Sequence, residues 1–142
     1  MKIDVPRTLA AWNERGTDYL PGLLGMEFVK VEPDEVVGRF TVSRAHSAWN
    51  GFLHAGAVVS LADTCCGYGT LSALPDGADG FTTVDLASNF VGTARNDTVT
   101  CTARPLHQGR TTQVWDATVT SDASGKAIAH FRCTQMILWP RT

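Results

Sequence analysis

A chain of 142 residues has the length of one domain and can bury a sizeable core without disulfides or metals. Hydrophobic residues make up 44% and charged residues 18%, which suits a packed protein with part of its surface buried against copies of itself. The net charge of −2 gives no reason to expect nucleic acid or an anionic membrane as a partner. The first 15 residues lack the apolar core of a signal peptide, and no uncharged apolar stretch reaches the roughly 18 residues of a membrane span. We therefore expect a cytoplasmic protein.

The part of the chain before residue 54 predicts a helical segment followed by a hairpin. Residues 1–22 form the expected N-terminal helical segment, with Pro6 suited to the first turn of its helix. Pro33-Asp34 supplies the turn of the hairpin. The predicted elements in order are a short amphipathic helix, a half-buried strand, a returning strand and a loop: 6–14, 23–31, 36–42 and 43–53.

The run from Ala57 to Thr70 predicts a helix that is buried on most sides. Its apolar residues cover nearly every direction of a helical wheel. Pro75-Asp76-Gly77 marks its end. The remaining chain predicts four strands rich in threonine, valine and aromatic residues: 81–91, 98–106, 112–121 and 127–139. The short turns between them favour antiparallel meander connections. The result is a two-layer α+β domain in which about six antiparallel strands curl around one long helix.

One acid, Asp63, interrupts the apolar helix. A carboxylate inside a buried helix is costly unless something pairs with it or uses it. The residues one turn away on its face are mostly small, including Gly56, Ser60 and Gly67, and they leave a gap for a slim ligand. The structural alternatives are a solvated helix face or an acid satisfied by a nearby hydroxyl. We interpret Asp63 as the working residue.

The start of the same helix, near Ala55 and Gly56, offers free backbone N–H groups and the positive end of the helix dipole. Such an end can polarise a carbonyl as an oxyanion hole does. Ala55 and Asp63 are eight residues apart, or about 12 Å along a helix. They cannot both contact one reacting carbonyl, so if both act, Asp63 of one chain meets the helix start of a second chain in a two-fold dimer. Alternatively, Gly56 only lets the helix pack closely.

The four cysteines are not arranged as a zinc site or a disulfide framework. Cys65 and Cys66 point to different sides of the helix, and no C-x-x-C pair occurs. We expect Cys65, Cys66, Cys101 and Cys133 to be buried free thiols. No metal site is expected, and Cys66 as a nucleophile has no suitably spaced histidine to support it.

Two motifs carry a resemblance to a known family. His54-Ala55-Gly56, followed after four residues by Leu61-Ala62-Asp63 and preceded by Asn50-Gly51-Phe52-Leu53, resembles the signature of hotdog-fold acyl-CoA thioesterases. The resemblance is to the phenylacetate-degradation, 4-hydroxybenzoyl-CoA and 1,4-dihydroxy-2-naphthoyl-CoA types. A second stretch, from Arg104 to Trp115, is similar to the strand-turn-strand segment of that family. The resemblance extends from roughly residue 24 to 138.

The resemblance implies a hotdog fold in a single domain, 1–142, and a role for each motif residue. Asp63 is the implied nucleophile or general base, the Ala55 amide polarises the carbonyl from the partner subunit, and His54 shapes that site beside Gly56. Three arginines are candidate phosphate contacts: Arg110, Arg95 and Arg104. The residues implied to contact the CoA moiety are Thr83, Phe90, Val91, Gly92, Thr93, His107, Gln108, Gly109, Arg110 and Thr111.

The chain also departs from the family pattern. Ala55 replaces the first glycine of the motif. This replacement keeps the backbone amide, but the methyl group leaves less room for a thioester carbonyl to approach it. Ala48 stands where related enzymes often carry glutamine or asparagine, and Asn50 is a candidate substitute. Gly67 replaces a hydroxyl residue four positions after the acid. The candidate replacements for that hydroxyl are Thr64, Thr82 and Thr83.

The sequence therefore predicts an acyl-CoA thioesterase that acts on an aryl or medium-sized acyl group, with a place in the degradation of aromatic compounds. No cofactor is expected besides the coenzyme A of the substrate. The expected assembly is a homodimer that pairs into a dimer of dimers, a homotetramer. Two alternatives remain open: a non-catalytic acyl-CoA-binding module and a hotdog hydratase or dehydratase.

Overall fold

Six antiparallel strands and one long helix make up most of the structure, a computed structural model that describes residues 2–141. The helices are α1 (Leu9–Arg15), α2 (Leu20–Leu23) and α3 (Ala55–Ser72), with a 3-10 turn at Arg44–His46. The strands are β1 (Glu27–Glu32), β2 (Glu35–Thr41), β3 (Gly80–Phe90), β4 (Thr98–Gln108), β5 (Thr112–Ser121) and β6 (Ala127–Leu138).

The sheet has the order β1-β2-β4-β5-β6-β3, so that β1 and β3 are its two edges. The α3 helix packs across one face and contacts all six strands. Small helix residues allow this close approach. A Cβ atom on Gly69 would lie 2.4 Å from the Trp115 ring, and one on Gly67 would lie 3.1 Å from the Phe81 ring. The predicted α+β fold, a curved sheet around one central helix, is confirmed.

Two local predictions about the strands are wrong. The segment before β1 forms the short helix α2, so the strand begins at Glu27, and its register shifts between Phe28 and Lys30. The meander connections hold for β4, β5 and β6 but fail for β3, which pairs with β6 while β4 pairs with β2. The connection 91–97 therefore joins an edge strand to a central one. Loop length alone therefore does not decide whether successive strands pair.

The cysteines are buried free thiols, as predicted, and the described residues contain no helix suited to a membrane and no metal-binding cluster. All four cysteines are buried and free. Cys65 lies beside Gly38 of β2, whereas the Cys66 thiol is next to that of Cys133 on β6. None of the helices within residues 2–141 is both long and apolar enough to cross a bilayer. Across the same residues, no cluster of three or more histidine, cysteine or acidic side chains has the arrangement of a metal site.

Candidate active site

The start of α3 presents one unused backbone amide. His54 is the N-cap, and its Nδ1 accepts a hydrogen bond from the Gly56 N–H at 2.8 Å. The next two amides, of Ala57 and Val58, donate to the His54 carbonyl at 3.0 and 3.3 Å. The Ala55 N–H is exposed and donates to no group within residues 2–141. Of the first four amides of the helix, Ala55 is therefore the donor that remains available to a ligand.

The loop before α3 fixes this helix start in place. Ser47 and Leu53 form an isolated bridge, and the His54 N–H donates to the His46 carbonyl at 2.9 Å. Asn50 is a predicted site residue, and its Oδ1 accepts a hydrogen bond from the Phe52 N–H at 3.2 Å. This oxygen therefore stabilises the local turn of the loop. The Asn50 Nδ2 is the part of the side chain left to meet a ligand. The sequence could not reveal this local use of Asn50.

Asp63 lies in the middle of α3 with an unsatisfied carboxylate. Its Oδ1 is buried and has no hydrogen-bond partner within residues 2–141. Burial raises the pKa of Asp63 above its ordinary value, since the charged form loses water. No hydroxyl within residues 2–141 satisfies this oxygen, so the alternative of an acid paired with a nearby hydroxyl does not hold for Oδ1, and the residue as a whole is half-buried. A half-buried acid with a raised pKa is a candidate general base or nucleophile.

Cys66, the other candidate nucleophile on the helix, is chemically unsuited. The contact with the Cys133 thiol and deep burial both raise the pKa of Cys66 well above its ordinary value. A thiol acts as a nucleophile only when it is deprotonated. Cys66 is therefore a core residue.

The three threonines that could replace the missing hydroxyl at Gly67 differ in their contacts. Thr64 donates to the Ser60 carbonyl at 2.6 Å, within its own helix. Thr83 donates to the Oε1 of Gln135 at 2.6 Å, which leaves the oxygen of Thr83 free to accept. Thr82 lies between Phe81 and Thr83 on β3 and therefore faces the other side of the sheet. Gln135, fully buried on β6, escaped the sequence analysis because nothing local marks it.

The residues predicted to line the CoA arm fall into two separate groups in one chain. Residues 90–93 span the end of the edge strand β3 and the start of the connection after it, and they are exposed, including the large apolar side chains of Phe90 and Val91. The second group, 107–111, lies at the far end of β4, where Gly109 donates to the Thr112 carbonyl. The eleven residues of β4 span roughly 30 Å. One chain therefore does not bring these two groups together.

The three candidate phosphate contacts also differ. Arg104 forms an ion pair with Glu35, and the Arg110 guanidinium lies 4.5 Å from the centre of the Trp139 ring. The Arg95 guanidinium lies 4.7 Å from the centre of the Phe52 ring, and Phe52 belongs to the loop before α3. Of the three, Arg95 is the one that contacts the loop leading into α3.

Comparisons with known proteins agree with this fold. The family model described as the Thioesterase superfamily matches residues 50–128, more than half of the chain. A 1,4-dihydroxy-2-naphthoyl-CoA hydrolase from Listeria monocytogenes is 30% identical over 111 residues, 78% of this chain and 89% of the relative.

Two solved structures share the fold over most of their length. A mutant of thioesterase PA1618 from Pseudomonas aeruginosa has a TM-score of 0.87 at 26% identity, covering 93% of this chain and 94% of that one. The protein smu.793 from Streptococcus mutans, solved bound to acetyl CoA, has a TM-score of 0.73 at 27% identity, covering 82% and 91%. The chain therefore belongs to the Thioesterase superfamily, with the predicted hotdog fold and the predicted enzyme class of thioester hydrolase.

Proposed function

We propose that this protein hydrolyses an aryl or medium-sized acyl-CoA to the free acid and coenzyme A, in a site shared by two chains. The observation that carries the proposal is the pair of unused polar groups on α3, the exposed Ala55 N–H and the buried Asp63 carboxylate. The names of the relatives support the substrate class, since one is a 1,4-dihydroxy-2-naphthoyl-CoA hydrolase and another was solved with acetyl CoA.

The shared site follows from the length of the helix. Ala55 and Asp63 are separated by about 12 Å along α3, whereas a base and an oxyanion donor must both lie about 3 Å from the reacting atoms. A two-fold dimer solves this problem by placing Asp63 of one chain opposite the Ala55 amide of the other. The same arrangement would bring residues 90–93 of one chain toward residues 107–111 of its partner.

The edge strand β3 supports such a dimer. Within residues 2–141 no strand pairs with its outer side, so one row of its backbone groups is unpaired. Its side chains include the exposed apolar residues Val84, Leu86 and Phe90. A long, apolar, unpaired edge is a template for a second copy. We propose edge-to-edge pairing of β3 as the dimer contact, with pairs of dimers forming the tetramer.

In the proposed reaction, Asp63 takes a proton from a water molecule as the water oxygen attacks the thioester carbonyl. The Ala55 N–H donates to the oxyanion, whose collapse releases the thiolate of coenzyme A, and this thiolate takes up a proton. In the alternative, the Asp63 carboxylate attacks the carbonyl itself and water then cleaves the mixed anhydride. An Asp63→Asn enzyme with slow residual turnover would point to a positioning role for this side chain, and one with none to direct attack.

Thr83 is the hydroxyl that we propose to hold the attacking water. Phe81, on the same face of β3, packs on Gly67, which is one helical turn after Asp63. Because only residues 73–79 connect α3 to β3, the strand runs back along the helix. Two strand residues advance about 6.6 Å and one helical turn about 5.4 Å, so Thr83 is level with Asp63. The hydrogen bond to Gln135 orients the hydroxyl and leaves its oxygen free to accept from water.

The experiment is a hydrolysis screen that detects released thiol, across aryl-CoA and straight-chain acyl-CoA esters, with the mass of the assembly measured in parallel. We expect turnover of at least one class by a dimer or tetramer. Tight binding of the esters without thiol release would select the binding module. Hydration of enoyl-CoA without thioester cleavage would select the hydratase. A strictly monomeric active enzyme would refute the shared site.

A further inference from the structure

His46 is a buried histidine that the proposed reaction does not use. It is 7% exposed and ends the 3-10 turn Arg44–His46, in the loop that leads to α3. The other three histidines, His54, His107 and His130, are exposed. A buried imidazole needs partners for both ring nitrogens, so the contacts of His46 show what its side chain holds in place.

The ring of His46 is fixed by three different segments of the chain. Its Nδ1 accepts a hydrogen bond from the Ser43 N–H at 3.0 Å, and the Ser43 Oγ lies 2.8 Å from the same nitrogen. Its Nε2 lies 2.6 Å from the Leu24 carbonyl oxygen, which can only accept, so Nε2 carries the proton. The ring also stacks on Phe40 of β2, with the ring centres 4.4 Å apart and the planes at 4°. His46 therefore joins the loop before α3 to the chain after α2 and to the sheet.

The backbone of the same residue holds the helix start. The His46 carbonyl accepts a hydrogen bond from the His54 N–H at 2.9 Å, and His54 is the N-cap that immediately precedes the free Ala55 amide. The peptide group that carries the Ala55 N–H is planar and begins at the His54 carbonyl, so the direction of this N–H follows the backbone of His54. A displacement of His46 would therefore turn the proposed oxyanion donor.

We propose that His46 is a positioning residue of the active site, whose ring holds the loop so that the Ala55 N–H points at the thioester oxygen. This proposal rests on the oxyanion role that is proposed above for Ala55. An oxyanion donor must lie about 3 Å from the oxygen on which charge develops, and it acts without reorganisation only if its direction is fixed beforehand. A small shift of the loop is therefore enough to lower the rate.

A histidine that only stabilises the fold is the competing explanation. Its replacement would lower the Tm, but the molecules that remain folded would turn over normally. Three replacements separate the contacts of the ring. His46→Phe keeps the stacking on Phe40 and loses both hydrogen bonds. His46→Asn places an oxygen near the position of Nδ1 and can accept from the Ser43 N–H, whereas His46→Gln places an amide nitrogen near the position of Nε2 and can donate to the Leu24 carbonyl.

The first test measures kcat and KM of the three folded variants on a thioester that the wild type cleaves. We expect His46→Phe to lower kcat by about tenfold to a hundredfold with KM unchanged, because an oxyanion donor acts in the transition state. His46→Asn and His46→Gln should each recover part of this loss. His130→Asn, at an exposed histidine on β6, is the matched control. A normal kcat in all three variants, or a loss confined to KM, would overturn the proposal.

A double-mutant cycle tests the route from the His46 ring to the amide. In the Ala55→Pro chain the N–H is already absent, so adding His46→Phe should lower kcat by no more than about twofold. In the Thr83→Val chain the amide is present, so the same replacement should cost its full factor. Equal losses in the two chains would show that His46 acts by another route, and the proposal would be abandoned.

Hydrogen exchange measures the hold on the loop without any turnover. We expect the His54 N–H to exchange about tenfold faster in His46→Phe, with the amides of the central strand β5 unchanged. Faster exchange across the whole sheet would assign a purely structural role and overturn the proposal. If the wild type releases no thiol, the proposed reaction fails and the positioning role fails with it, whereas the exchange result still shows whether His46 holds the loop.

Discussion

The start and the middle of α3 differ in how their polar groups are satisfied. At the start, His54 and its carbonyl take up three of the first four amides, and the one left over, on Ala55, is exposed to solvent. In the middle, Asp63 has a buried oxygen that finds no hydrogen-bond partner among the described residues. An exposed amide costs little because water can satisfy it, whereas a buried unpaired carboxylate destabilises the fold. We infer that the middle of the helix carries the energetically costly group that the proposed reaction uses, and that the start offers its free amide to the substrate.

The largest expected effect comes from the middle of the helix. Asp63→Ala should reduce kcat by about a thousandfold or more, since it removes the base or nucleophile. Because the pKa of Asp63 is raised by burial, activity of the wild type should rise with pH as this group deprotonates. Steady-state kinetics over a range of pH measures both the loss of kcat in Asp63→Ala and the rise of wild-type activity with pH. Asp18→Asn, at an exposed acid far from the site, is the control, and near-normal turnover by Asp63→Ala would remove the assignment.

The next effect tests the helix start. Ala55→Pro deletes the free N–H at the first helical position, where proline is favoured, and the backbone of His54, with φ −68° and ψ 131°, accepts a following proline. We expect kcat to fall by about 10²–10³-fold without loss of the fold. Ala55→Ser, which keeps the amide, should retain activity. Equal activity of the two variants would show that this amide does not meet the oxyanion.

Co-expression of the two inactive chains sharpens the comparison. In a mixed dimer of Asp63→Ala and Ala55→Pro, one of the two shared sites contains only normal residues. Random mixing should therefore restore about a quarter of the wild-type activity. If the working groups came from a single chain, mixing would restore nothing. A mixed dimer purified through two different affinity tags should show about half of the wild-type activity.

A smaller effect is expected at Thr83. Thr83→Val removes the hydroxyl proposed to hold the water and should lower kcat up to about tenfold, the value of one neutral hydrogen bond. Thr83→Ser should keep most of the activity. Thr82→Val, on the opposite face of β3, is the matched control. A loss confined to KM would assign Thr83 to substrate binding, as the family resemblance implies, and not to the water.

The smallest effect concerns stability. Burial raises the pKa of Asp63 in the folded chain, so the folded state holds its proton more tightly than the unfolded state does. The contribution of this group to the free energy of unfolding is fully present below the ordinary pKa of an aspartate. It is lost as the pH rises through the higher pKa of the folded state. Asp63→Asn has no such charge, so its Tm should exceed that of the wild type at pH 7 and match it near pH 3. Thermal melts at the two pH values decide this, and a lower Tm at pH 7 would contradict it.

The sequence by itself determined the long helix, the hairpin and the strands of the sheet, because each depends on local periodicity and turn residues. It also gave Asp63 and the Ala55 amide as candidate site groups, since an acid in an apolar helix and a helix start are visible along the chain. The spacing of these two groups along the helix also led to the prediction that two chains share one site.

The tertiary structure alone decided which groups are already satisfied. The Gly56 N–H donates to the His54 side chain, and the Asn50 side-chain oxygen accepts from the Phe52 N–H within its own loop. The Thr83 hydroxyl donates to the buried Gln135 side chain. The fold also brings the His46 ring to the Leu24 carbonyl, on a different segment of the chain. These facts depend on contacts between distant segments, and on the pairing of β3 with β6, which no local pattern encodes.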